Sequence, residues 1–159
     1  SDHGNCTKAT YTEGLLVGYR YYDAHQLEPA FSFGHGLSYA PFAYADLEVT
    51  PTPLQQSSVF TVSFTLTNTA AVGGAEVVQL YLSFPPAAGS PPRVLRRFVK
   101  VFLKPGQSKT VTFEKLVAGA DMAMWDEATH NWKVVAGKFG VLVGASSRDV
   151  RLQGALEVS

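Results

Sequence analysis

Val59-Phe60-Thr61-Val62-Ser63-Phe64-Thr65-Leu66-Thr67-Asn68 alternates apolar and hydroxyl-bearing side chains without a break. A strand turns successive side chains to opposite faces. Phe60, Val62, Phe64 and Leu66 therefore share one face, and Thr61, Ser63, Thr65 and Thr67 the other. Val, Phe and Thr all suit a half-buried pleated surface. The stretch predicts a strand with one face against a core.

The same period recurs on both sides of it. In Glu76 to Phe84, Val78, Leu80, Leu82 and Phe84 share a face, and Gln79, Tyr81 and Ser83 oppose them. Gly73-Gly74 marks the turn before it. In Val94 to Leu103 the reading places Leu95, Val99, Val101 and Leu103 inward and Arg96, Phe98, Lys100 and Phe102 outward. Lys104-Pro105-Gly106-Gln107 is a turn, with Pro setting φ and Gly supplying a positive φ. Thr110 to Leu116 buries Val111 and Phe113. Met122 to Trp125 and Asn131 to Val135 form hairpin arms around the tip 126–130. Phe139 to Val143 and Val150 to Val158 complete the series, and Tyr44 to Val49 opens it. About eight short strands with regular turns, and no amphipathic helix of useful length, predict an all-β sandwich of immunoglobulin or fibronectin type III-like form.

Residues 1–43 read differently. They are rich in Gly, Tyr, Phe and His and lack strict alternation, so the expected division is an N-terminal arm, 1–43, leading into a sandwich, 44–159. The opening Ser1-Asp2-His3-Gly4-Asn5, without Met, predicts a piece of a longer polypeptide. Asn5-Cys6-Thr7 fits the N-glycosylation sequon, which makes Asn5 a candidate acceptor.

Composition narrows the function classes. Thirteen basic residues balance thirteen acidic ones, so no electrostatic footprint for nucleic acid or an anionic membrane exists. Arg93, Arg96, Arg97 and Lys100 cluster within a strand and read as a solvated strand face. One cysteine excludes a disulfide framework within the chain. No apolar run approaches the length that crosses a bilayer.

Catalytic chemistry finds little support. Glycosidic cleavage needs two carboxylates facing one another across a sugar, and the one adjacent acidic pair, Asp126-Glu127, falls in a hairpin tip. His3, His25, His35 and His130 have no metal-ligand spacing. No nucleophile elbow and no G-x-G-x-x-G order occur. No catalytic residue, metal site or cofactor is expected. Trp125 and Trp132 are candidate glycan contacts, because sugar C–H groups pack on aromatic rings. Cross-strand packing is the competing reading of the same pair.

The arm carries the most specific pattern. Tyr11-Thr12-Glu13-Gly14-Leu15-Leu16-Val17-Gly18-Tyr19-Arg20-Tyr21-Tyr22-Asp23 resembles the segment leaving the second catalytic domain of family 3 glycoside hydrolases. Phe31-Ser32-Phe33-Gly34-His35-Gly36-Leu37-Ser38-Tyr39 is similar to the F-P-F-G-H-G-L-S-Y motif that follows it there, with Ser32 in place of Pro. Gly74 to Tyr81, the turn Leu103 to Ser108, Trp132 to Gly137 and Gly144 to Asp149 resemble later signatures in the family's order. Arg97 departs from the family, standing where Gly is frequent.

The resemblance implies the fibronectin type III-like C-terminal domain of a family 3 hydrolase of β-glucosidase type. It implies a retaining parent enzyme whose barrel and α/β sandwich domains hold the catalytic residues, with this chain non-catalytic. It also implies secretion, extracellular or periplasmic. The apolar residues of the arm exceed what one face of a small sandwich covers, and such patches mark interfaces. The expected docking surface on the catalytic domains comprises Tyr19, Arg20, Tyr21, Tyr22, Asp23, Phe33, His35 and Tyr39. An arm packed only on its own sandwich, and an independent module binding polysaccharide or lignin, are the competing expectations.

Overall fold

The computed structural model describes residues 12–55 and 57–159. His3, the Asn5 acceptor, Cys6 and Tyr11 lie outside them. The described chain runs through a short helix α1 (Tyr19–Ala24), then β1 (Phe42–Thr50), β2 (Val59–Asn68), β3 (Gly74–Ser83), β4 (Val94–Leu103) and β5 (Ser108–Val117). A one-turn helix α2 (Ala118–Asp121), β6 (Ala123–Asp126), β7 (Asn131–Val134), β8 (Gly137–Gly144) and β9 (Val150–Val158) follow.

Seven strands build two facing sheets, ordered β1-β2-β5 and β4-β3-β8-β9, and β6-β7 is a separate hairpin. All named pairings are antiparallel. This is the expected all-β sandwich. Phe60, Val62, Phe64 and Leu66 of β2 are each 1% exposed or less, and burying a side chain of that size contributes about 2–3 kcal/mol. They meet Leu80 and Leu82 of β3, and Phe139, Val141 and Val143 of β8, in one core. Leu54, fully buried, bridges in parallel to Val158 and closes the gap between the sheets near β9.

The turn at Lys104–Gln107 forms as its residues require. Gly106 has φ +68°, and the Gln107 N–H bonds the Lys104 carbonyl at 3.1 Å. It carries the chain from β4 in one sheet to β5 in the other.

Strand β4 corrects two expectations. Leu80 pairs with Arg97, but Tyr81 pairs with Leu95, so Arg96 is a bulge. One extra residue reverses the side-chain phase. Val94 consequently faces the core, 5% exposed, and Leu95 turns with Tyr81 to the outer face rather than inward. The arginines are not a solvated face either. Arg97 forks onto Asp121, at 2.7 and 3.0 Å, and the same carboxylate accepts the Val117 N–H at 2.8 Å. The Arg96 guanidinium lies 5.3 Å from the Phe84 ring centroid, and Arg93 pairs with Asp23. Lys100 is exposed, and the three arginines are half-buried.

Candidate functional site

The outer face of β3 decides how the arm lies. Gln79 and Tyr81 point away from the core, yet they are 3% and 0% exposed. The arm covers them. The Tyr19 ring stacks on Phe33 with centroids 4.5 Å apart and meets Tyr81 edge-on at 6.2 Å. Its hydroxyl accepts the Leu95 N–H at 2.9 Å, beside the bulge in β4. Burial holds the Tyr81 phenol above its usual range.

Polar latches fix the arm at both ends of this patch. Asp23, its side chain 4% exposed, accepts from Arg148 Nε at 3.1 Å and lies 3.4 Å from Arg93 Nε. Arg148 also reaches Glu28 at 3.0 Å and the Tyr22 carbonyl at 3.3 Å. Further along, the Phe33 carbonyl accepts the Ser147 N–H at 2.8 Å, and Ser32 bonds Ser146 at 3.0 Å. Gln79 donates to the carbonyls of Gly34 and Ala145 at 3.0 and 2.7 Å, and accepts the Tyr81 hydroxyl at 2.6 Å. Gly34 has φ +80°, and a Cβ there would overlap the Gln79 carboxamide.

Beyond those anchors the arm is bare. Phe31, Leu37 and Tyr39 are 77%, 95% and 99% exposed. Under the 33–38 loop runs a cleft of about 530 Å³, walled by Leu37, Leu95 and Phe98 and floored by Glu76, Asp149 and Arg151. Hydrogen bonds from Arg151, with a weaker pull from His35, hold the Asp149 carboxyl below the usual carboxylate range. Glu76 goes the other way, because burial raises it. Its one hydrogen bond among the described residues is from the Val77 N–H, at 3.0 Å. Nearby, the buried Tyr44 hydroxyl has no hydrogen-bond partner among the described residues, and burial raises its pKa too.

The expected interface residues thus divide. Tyr19 and Asp23 spend their contacts on the sandwich, and Arg20 lies 5.9 Å from the Tyr19 ring. Tyr21, Tyr22, Phe33, His35 and Tyr39 remain exposed, with Tyr21 stacked on His25 at 4.1 Å. Trp125 and Trp132 are a directly opposed cross-strand pair, perpendicular at 5.7 Å, and 49% and 64% exposed. They share a hairpin face with Ala123 and Val134, which are buried in the core, so the indoles overhang its end. Asp126 caps the tip, accepting the Ala128 N–H at 2.9 Å. Among the described residues no group of three or more His, Cys, Asp or Glu side chains is placed to hold a metal. No helix among them is long and apolar enough to cross a membrane. Sequence reasoning passed over Glu76, Arg148 and Asp121; Gln79, a lone amide inside an apolar run, was the one latch with a visible signal.

The model of the fibronectin type III-like domain matches residues 76–147. Among curated relatives, a probable β-glucosidase N of Emericella nidulans is 40% identical over 96% of this chain and 27% of its own length. The thermostable β-glucosidase B of Acetivibrio thermocellus is 40% identical over 98% of the chain and 20% of its own length. Among solved structures, the β-D-glucoside glucohydrolase of Trichoderma reesei superposes with a TM-score of 0.87 at 38% identity, over 95% of this chain and 23% of that one. A family 3 β-glucosidase of Bifidobacterium adolescentis gives 0.84 at 39% identity, over 92% and 21%. The chain spans 20% to 27% of the length of these curated relatives.

Proposed function

The chain belongs to the fibronectin type III-like domains of family 3 β-glucosidases, and from that we propose that it is the non-catalytic accessory domain of such an enzyme, docked on the catalytic domains through its arm. The observation that carries this reading is the near-complete exposure of Leu37 and Tyr39 on a loop whose neighbours are pinned to the sandwich. A loop whose backbone is already pinned has less ordering left to lose when a partner buries its apolar side chains. The rest of the parent polypeptide is the natural cover, because the relatives are four to five times as long as the matched region. The parent hydrolyses β-glucosides with retention and is secreted. The chain alone supplies it with rigidity and a fixed seat for the outer domains, not with acids for bond cleavage.

Two measurements test this. The purified chain should release no product from a chromogenic β-glucoside, whereas the full-length enzyme should. Replacing Leu37 and Tyr39 together by Ser should lower the thermal midpoint of the full-length enzyme and leave that of the chain alone unchanged. Turnover by the chain, or an unaffected full-length midpoint, contradicts the reading.

The exposed indole pair supports a second role, contact with polysaccharide or lignin. Trp125 and Trp132 are the chain's only tryptophans, so tryptophan emission, excited selectively over tyrosine, reads that hairpin alone. Titration with cello-oligosaccharides, xylan and soluble lignin should shift it; an unchanged spectrum with all three removes this role.

A further inference from the structure

We propose that the cleft beneath the 33–38 loop receives an apolar segment of the parent enzyme bearing one basic side chain, and that Glu76 is the carboxylate that recognises this cation. The inference rests on the docking reading above and adds to it the chemistry of the partner surface.

Leu37, Leu95 and Phe98 give the cleft an apolar part of its lining, and Leu37 is almost fully exposed. A segment that buries Leu37 must also cover the cleft. Its floor holds two carboxylates and one guanidinium. Arg151 is committed to Asp149 through both Nε and a terminal nitrogen. Glu76 forms no ion pair among the described residues, and one backbone N–H leaves most of its four lone-pair sites unused. Val101 stands opposite it on β4, and the groups whose charge reaches it are Arg151 and Asp149.

In the free chain, water hydrates the open side of this carboxylate. Docking removes that water. A carboxylate sealed without a counter-charge costs several kcal/mol, enough to cancel the gain from burying Leu37. A Lys or Arg on the covering segment, placed over the Glu76 oxygens, converts that cost into a specific ion pair and fixes the register of docking. The occupant is taken from the parent polypeptide because more than seven tenths of the relatives' length lies outside the matched region.

The test compares wild type with E76Q, E76K and L37S, each in the full-length enzyme and in the chain alone, by thermal unfolding. The expected result is a fall of about 1 °C or more for E76Q in the full-length enzyme, whose size reduces the shift per kcal/mol, and a larger fall for E76K. In the chain alone E76Q should be unchanged or higher, since the buried charge is gone and nothing has been unpaired. L37S should lower only the full-length midpoint. If L37S lowers that midpoint and E76Q does not, docking stands and the cation is overturned. An E76K no worse than E76Q overturns it as well. If E76Q lowers the chain alone as much as the full-length enzyme, Glu76 is a structural residue of the sandwich and the proposal fails. If neither L37S nor E76Q affects the full-length enzyme, the docking reading falls and this inference with it.

Discussion

The Gln79 side-chain amide donates to the Gly34 carbonyl at 3.0 Å, joining strand β3 to a loop 45 residues earlier in the chain. The bond lies in the buried seam between sandwich and arm. With the Ala145 and Tyr81 bonds it satisfies both ends of one carboxamide.

Replacing Gln79 by Leu keeps the volume and removes all three bonds. The Gly34 and Ala145 carbonyls and the Tyr81 hydroxyl are then left under cover without partners. The expected loss is about 2–3 kcal/mol in urea unfolding of the chain. A loss under about 0.5 kcal/mol would mean that water replaces the amide and the latch is dispensable.

Gly34 and Gly36 should respond differently to alanine. Gly34 has a positive φ and no room for a Cβ, whereas Gly36 has open space around it and no such φ. Gly34→Ala is expected to cost at least about 1 kcal/mol, and Gly36→Ala to stay within about 0.5 kcal/mol. Equal effects of the two would contradict the latch geometry.

Asp121→Ala removes the partner of Arg97 and the acceptor of the Val117 N–H together. The Arg97 side chain is 40% exposed, so water partly rescues the stranded guanidinium. A loss of about 2 kcal/mol follows. Arg97→Ala in the same background should add little, because the pair is already broken. Additive losses would show that the two side chains do not act as a unit.

The pH dependence of Glu76 has a definite sign. Its folded pKa is raised above the ordinary value of 4.5, so the folded state binds the proton more tightly than the unfolded chain. Its contribution to stability is present below the unfolded pKa and is lost as pH rises through the folded pKa. Tyr44, Asp149 and Arg151 are the titratable groups coupled to it, and comparison with Glu76→Gln cancels their own titration. In the chain alone, wild type should therefore weaken relative to Glu76→Gln as pH rises above about 4.5. A difference that stays flat from pH 3 to 8 would contradict the burial of this carboxylate.

Trp125 and Trp132 face each other across the hairpin at 5.7 Å. A double-mutant cycle to Ala should yield a coupling of about 0.5–1 kcal/mol. Coupling near zero would mean that the two indoles stand independently.

Parts of this molecule were legible from the residues alone. The unbroken alternation in β2 located the core, and Pro105-Gly106 located the arch between the sheets. The run Val77-Val78-Gln79-Leu80-Tyr81-Leu82 held a further signal, since nearly continuous apolar character marks a strand covered on both faces. Alternation alone left Gln79 and Tyr81 facing outward without saying what covers them. In β4 the doublets Val94-Leu95 and Arg96-Arg97 break the period. That break is the trace of the bulge, and reading through it misplaced Leu95. The pairing of Arg97 with Asp121 spans 24 residues and leaves no local trace, so the arginines read as solvated. The exposed loop was found through its resemblance to a family motif. Periodicity has no purchase on a segment that follows neither a strand nor a helix repeat and leaves its large side chains exposed.

Hydrogen–deuterium exchange across residues 31–39, compared between the chain alone and the full-length enzyme, tests the docked arm most directly. Slower exchange of the segment in the full-length enzyme is the expected result, with residues 127–130 of the hairpin tip, exposed in the chain, as the comparison segment. Identical exchange in the two forms would contradict docking through this loop.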